Sequence, residues 1–266
     1  MRLLAIRLLF LFAIIAPASA QTIPQTGWWY SPTEAGRGYA VEYRNGRVFI
    51  SALMYNGSGA AIWYLGQGPL VNSSLLSDLE FYGLGTNILY STFSAAQRLG
   101  STSAQTTFTS STAGTIRFLD AVTNTSSAIQ RLEFTSGGLT AGADAGLPES
   151  GWWWAPAEPG SGYFLEFQRS AFFLAAMHYA NPSFAEGLAS AGQAVWDIAL
   201  GTMTSPTQLQ GSLVRYQSGQ SVGASYRSPT VSHTVTGVTI TFPSTTTATM
   251  TLTSNGKTLA LERFRF

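Results

Sequence analysis

The sequence predicts an all-β chain of two tandem antiparallel modules, each an up-and-down barrel or a sandwich, related by internal duplication. Three observations carry that expectation. Short β-branched and aromatic runs are separated by Gly, Asn, Ser and Pro, with no long stretch of helical period. Asn45-Gly46 and Asn255-Gly256 sit between such runs as two-residue hairpin turns. Residues 27–55 superpose on 151–179 without a gap, at an offset of 124.

In chain order, residues 1–20 read as a secretory signal: Arg2 and Arg7 precede an apolar run over 8–15, and Ala18-Ser19-Ala20 offers a cleavage site. The first module is expected over 21–136, a Gly/Ala-rich linker over 137–150 and the second module over 151–266. No later apolar run approaches the ~20 residues of a membrane-spanning helix. A secreted or periplasmic protein is expected, not one embedded in a membrane.

The duplication lays Gly27-Trp28-Trp29 on Gly151-Trp152-Trp153, and Pro32, Glu34, Gly36, Gly38 and Tyr39 on Pro156, Glu158, Gly160, Gly162 and Tyr163. Glu42 then meets Glu166, Phe49 meets Phe173 and Tyr55 meets Tyr179. Trp63 and Gly68 meet Trp196 and Gly201 once copy two is given nine extra residues within 180–193. Near the ends, 114–118 resembles 238–242, and each copy closes on a Leu-Glu pair followed by Phe. Each unit is domain-sized, unlike the short units of a solenoid.

A type I′ turn at Asn45-Gly46 places Tyr39, Val41 and Tyr43 with Val48, Ile50 and Ala52 on a core face. Ala40, Glu42 and Arg44 then share a mixed face with Arg47, Phe49 and Ser51. The same rule at Asn255-Gly256 pairs Met250 and Leu252 with Leu261 and Leu259.

Without Arg2 and Arg7 the chain carries 12 basic against 13 acidic groups, and Lys257 is its only lysine. Scattered arginines are not the clustered footprint of a phosphate-backbone binder, so no nucleic-acid partner is expected. With no cysteine, disulfides, thiol catalysis and Cys-zinc sites are excluded. No cofactor or metal is expected.

The string Gly-Trp-Trp-(Tyr/Trp)-x-Pro-x-Glu-x-Gly-x-Gly-Tyr-x-x-Glu resembles a repeat of secreted bacterial proteins that lack an assigned function. The resemblance covers most of the chain after the signal and implies export and a β-rich module, with no activity to carry over. A Gly-x-Trp-Tyr opening strand followed by a meander is also similar to the avidin and lipocalin-like calycin barrels. That likeness bears on architecture alone.

Candidate chemistry falls on few side chains. Trp29 and Trp153 are placed either to stack on a ligand ring or to plug a barrel end, and Trp63 and Trp196 follow Gly-rich turns as further aromatic contacts. Glu34 and Glu158 are expected to hold their Gly-rich loops through backbone N–H bonds. Glu42 and Glu166 are the carboxylates best placed for a ligand or for acid–base work. His178 replaces Met54 in an apolar strand and is read as a hydrogen-bonded or edge histidine ahead of a ligand or base, and Phe184 lies in the copy-two insertion, which is expected either to bind or to cover the barrel mouth. The expected function is an exported binding or structural module contacting a glycan, a small apolar ligand or a protein. The alternatives are a glycosidase-like hydrolase using the strand glutamates and an outer-membrane β-barrel prompted by Phe264 and Phe266.

Overall fold

The computed structural model describes residues 20–90, 92–120, 124–181 and 186–266. Residues 1–19 of the expected signal and Phe184 lie outside the described residues. Each copy closes as its own eight-stranded antiparallel barrel. The first contains β1 (Gly27–Tyr30), β2 (Gly38–Arg44), β3 (Arg47–Tyr55), β4 (Ala61–Pro69), β5 (Ser74–Gly83), β6 (Gln97–Phe108), β7 (Ala113–Phe118) and β8 (Ser126–Arg131). After a four-residue helix α1 (Gly138–Ala141), the second runs through β9 (Gly151–Trp154), β10 (Gly162–Gln168), β11 (Ala171–Tyr179), β12 (Ala194–Ser205), β13 (Gln208–Gln217), β14 (Thr230–Thr241), β15 (Thr247–Leu252) and β16 (Thr258–Arg263). Every strand pairs with its sequence neighbours, and β1–β8 and β9–β16 close the two rings, which removes the open edges of a sheet.

The first hairpin has the expected register. Asn45 and Gly46 both take positive φ, 49° and 79°, and Arg44 faces Arg47. Glu42 relieves that like-charge pair by accepting from Arg44 Nε at 3.3 Å. At the second, the expected register is two residues out: Met250 faces Leu259 and Ala248 faces Leu261. Asn255 is diverted from a tight turn because its amide donates to Leu89 O and its carbonyl accepts from Lys257 N, so the loop opens to span 253–257. The likeness of 114–118 to 238–242 also joins non-equivalent strands, since Phe242 occupies the place of Phe108, each packing edge-on to its copy's buried Trp. The final match shifts likewise: Arg131 corresponds to Arg263, as the arginines' partners below establish.

Inside each barrel the alternate residues are apolar. In β7, Ile116 and Phe118 are buried while Thr115 and Arg117 face solvent. Trp29 anchors one interior with Phe108 and Ile50, and Trp153 anchors the other with Phe167 and Phe242. The face expected to be mixed in β2–β3 is covered: Ala40, Glu42 and Ser51 are buried, with Met177 and Trp152 of the second barrel against Ser51 and Glu42. A third apolar cluster combines Trp28, Leu53, Tyr55 and Trp63 with Trp152, Phe164, Met177, Tyr179 and Trp196.

This junction repeats itself about a pseudo-twofold axis. Trp63 Nε1 donates to His178 O at 3.1 Å, and Trp196 Nε1 donates to Met54 O at 3.0 Å. Tyr179 packs edge-on against Trp63, as Tyr55 does against Trp196. The barrels also exchange plugs. Ile88, on the β5–β6 loop, sits in the second barrel's core, and Val222, on the β13–β14 loop, packs against the first.

Where strand β10 meets the junction the symmetry breaks. Phe164 replaces Ala40 and packs between Trp28 and Trp152, with ring centroids 6.3 and 5.2 Å away. Truncating Phe164 to Ala is expected to cost about 3–5 kcal/mol through the cavity it leaves. Ala40→Phe, which adds a second large ring at the same seam, should cost about 1–3 kcal/mol by overpacking. Urea denaturation measures both, and an unchanged midpoint in either variant would contradict this packing.

Candidate functional site

The repeated strand glutamates are exchanged between the barrels. Glu166 accepts from Trp28 N–H and pairs with Arg131 Nη2 at 2.5 Å, both groups of the first barrel. Glu42 reciprocates, accepting from Trp152 N–H at 2.7 Å and pairing with Arg263 Nη2 at 2.6 Å. Each arginine also donates through Nη1 to the carbonyl of the same tryptophan. Gly27 and Gly151, at φ 145° and 132°, open β1 and β9; a Cβ at Gly27 would collide with the Arg131 guanidinium, and one at Gly151 with Arg263 and Glu42. All four charged side chains are almost fully buried and paired across the junction, with Arg44 and Gln168 also donating to Glu42 and Glu166 and the Arg131 Nε left without a partner among the described residues.

Sequence reasoning found both glutamates but missed both arginines. The signal was present in the shared pattern Arg131-Leu132-x-Phe134 and Arg263-Phe264-x-Phe266, which the Leu-Glu match obscured.

Trp29 and Trp153 lie wholly inside their barrels, each indole N–H donating 3.2 Å to a carbonyl four residues earlier. Among the described residues the loop glutamates are held by side chains in place of backbone N–H groups: Glu34 by Arg37 and Ser127, and Glu158 by Lys257 at 2.9 Å. The lysine stands in for Arg37, whose place Ser161 takes.

His178 belongs to a buried polar network that the first barrel lacks. Its Nε2 lies 2.6 Å from Asp197 Oδ2, and Asp197 Oδ1 accepts from Arg215 Nε at 2.6 Å. Arg215 reaches on to Glu186 at 2.9 Å, and Glu186 accepts from Asn87 of the plugging loop at 3.1 Å. By strand register, Asp197 and Arg215 replace Tyr64 and Phe81, which pack edge-on in the first barrel. Nδ1 of His178 lies 3.1 Å from Tyr179 O and 3.4 Å from Ile88 N, so both ring nitrogens are engaged. Burial opposes ionisation of Asp197, but Arg215 and His178 outweigh it and hold its carboxyl well below the usual carboxylate range.

The aromatic-lined space open to a ligand lies outside both barrels, along one side of their junction; two more polar cavities of about 330 and 410 Å³ lie near Arg131, the first with Glu166 and Gln168 in its lining. A cavity of about 160 Å³ is lined by Phe49, Trp63, Leu65, Trp152, Trp154 and Phe264. Through Trp63 and Leu65 it adjoins a second of about 390 Å³, walled by Tyr82, Phe93, Pro159 and Tyr179. Through Phe49 and Leu65 it adjoins a third of about 480 Å³, where Gln67, Ser77, Asp78 and Glu80 appear.

The opposite side is narrower. There Trp28 lies on Gly38, where a Cβ would strike its ring, and stacks on Phe173 at 4.6 Å. Trp152 stands clear of Gly162, 3.7 Å from where a Cβ would be, and is tilted 58° to Phe49. Pro229 closes on Gly36, where its counterpart facing Gly160 is only Ala96. Of the expected contacts among the described residues, Trp63 and Trp153 line this groove; Trp196 occupies the place equivalent to Trp63 on the narrower side.

Removing one partner of a buried ion pair leaves the other uncompensated, so Glu166→Ala and Glu42→Ala are each expected to destabilise by about 3–5 kcal/mol. Denaturant titration measures the loss, and a change under 1 kcal/mol in both would refute the exchange. The depressed Asp197 pKa fixes a second sign. The folded state binds this proton less readily than the unfolded chain, so the stabilisation is complete above the unfolded value of ~3.9 and is lost as pH falls below it. Asp197→Asn should therefore flatten the acid limb of a stability–pH curve, and an acid limb as steep as the wild type's would count against this role.

No protein-family model matches the chain, and neither the curated proteins nor the solved structures contain a match.

Proposed function

We propose that the protein is an exported, non-catalytic binding module whose ligand site is the open side of the barrel junction. The observation that carries this reading is the one-sided groove, where Phe49, Trp63, Tyr82, Phe93, Trp152 and Trp154 come together beside vacant space. Concave, mostly apolar sites with few polar groups are where small ligands bind. The barrel interiors offer no such space, being filled by their own side chains and by the exchanged Ile88 and Val222.

Two alternatives have less support. A hydrolase built on Glu42 and Glu166 would need carboxylates free to face a substrate, and both are bound to buried arginines. An outer-membrane barrel presents an apolar band to lipid, whereas β6–β8 turn Gln105, Thr115, Arg117 and Gln130 outward.

The fluorescent probe 1-anilinonaphthalene-8-sulfonate tests the groove. Trp154→Ala and Phe93→Ala are expected to weaken its binding at least ten-fold with the folded state intact, equivalent to about 1.4 kcal/mol. Equal affinity in the wild type and both variants would place the site elsewhere.

A further inference from the structure

Resting on that reading of the groove, we infer that its ligand is a neutral oligosaccharide chain, laid from the aromatic bay across the outer face of β3–β5. Three observations converge on this class.

The first is the change of lining along the groove. The bay offers flat rings, with Tyr82 stacked beside Trp63 at 6.2 Å, and then Gln67, Asp78 and Glu80 project from β4 and β5 within the adjoining cavity. A pyranose has an apolar C–H face and a rim of hydroxyls, so one chain can stack on the rings and donate hydroxyls to the carboxylates and the amide. An aliphatic ligand would desolvate those groups without replacing their hydrogen bonds, which is costly.

The second is a pair of unpartnered polar atoms in the apolar part. Trp152 Nε1 and the Tyr179 hydroxyl are buried without a hydrogen-bond partner among the described residues, and each belongs to a residue lining one of the two apolar cavities. The Tyr55 hydroxyl, equivalent to that of Tyr179, is unpartnered as well, so the atom that distinguishes the open side is Trp152 Nε1, a donor that a sugar hydroxyl or ring oxygen would satisfy.

The third is the comparison between copies. At the positions of Gln67, Asp78 and Glu80, the second barrel carries Leu200, Ser212 and Val214, so the polar strip accompanies only the open side. Charge narrows the class further. Glu80 is matched by Arg98 at 2.7 Å, but among the described residues Asp78 meets only the Ser103 hydroxyl, at 2.5 Å, which favours a neutral chain over an anionic one.

The test is isothermal titration of the folded protein with cellohexaose, chitohexaose and maltohexaose, alongside 1-anilinonaphthalene-8-sulfonate. The triple variant Gln67→Leu/Asp78→Ser/Glu80→Val imports the second barrel's residues at exposed or half-exposed positions. Support is binding of at least one hexasaccharide, weakened ten-fold or more by the triple variant and by Trp154→Ala, while the probe still binds the triple variant. If the probe binds in a Trp154-dependent way but no hexasaccharide does, or if the triple variant leaves sugar binding unchanged, the carbohydrate class is overturned and the groove stands. Probe binding indifferent to Trp154 would remove the groove and this inference together.

Discussion

The structure depends on an exchange. The second residue of each barrel's first strand is a tryptophan whose backbone N–H is satisfied by the other barrel's glutamate, and whose carbonyl is held by an arginine from its own last strand. The charged groups are buried by the association that pairs them. Two desolvated carboxylates and two desolvated guanidiniums are tolerable only because each finds a near-ideal partner. Separating the barrels would strand all four, so the ion pairs act as a condition on assembly more than as a source of stability.

Geometry follows from that condition. With Trp28 and Trp152 fixed at their backbones, their indoles lie on the outer barrel faces and build the junction, while Trp29 and Trp153 point inward and fill the interiors. Strand alternation thus assigns the two tryptophans of each pair to two different cores. The seam where the copies meet admits one large ring more readily than two, and the Ala40/Phe164 difference meets that limit. The same difference accompanies the displaced Trp152 ring and hence the open groove. The two barrels share one scaffold, and the differences at Ala40/Phe164, Ala96/Pro229 and Gln67/Leu200 supply the distinctive surface.

Much of the fold was legible in the sequence because it rests on local rules. The duplication, the strand-rich pattern, the Asn45-Gly46 register and the insertion before β12 all follow from spacing and turn chemistry. Closure of each copy was not legible, because whether β1 meets β8 depends on strand tilt and stagger that no local pattern encodes. Asn255 misled because its side chain answers to a loop 166 residues away. The site was legible only in part. Glu42, Glu166 and His178 stood out by type and repetition, but their partners Arg263, Arg131 and Asp197 come from other strands, and pairing is a property of topology. The groove was invisible for the same reason: Phe49 and Trp154 meet only after two barrels dock.

The exchanged plugs have a temporal side. Val222 finishes a core whose first tryptophan is residue 29, so the earlier barrel reaches its last strand at Arg131 with its mouth still vacant. Such long-range completion raises contact order and slows folding. During that delay the Trp-rich flank that will become the junction is bare, and it is the surface on which a half-finished chain would aggregate. The native contacts best placed to bury it belong to the molecule's own second half, so the duplication that built this protein also makes each half the other's folding partner.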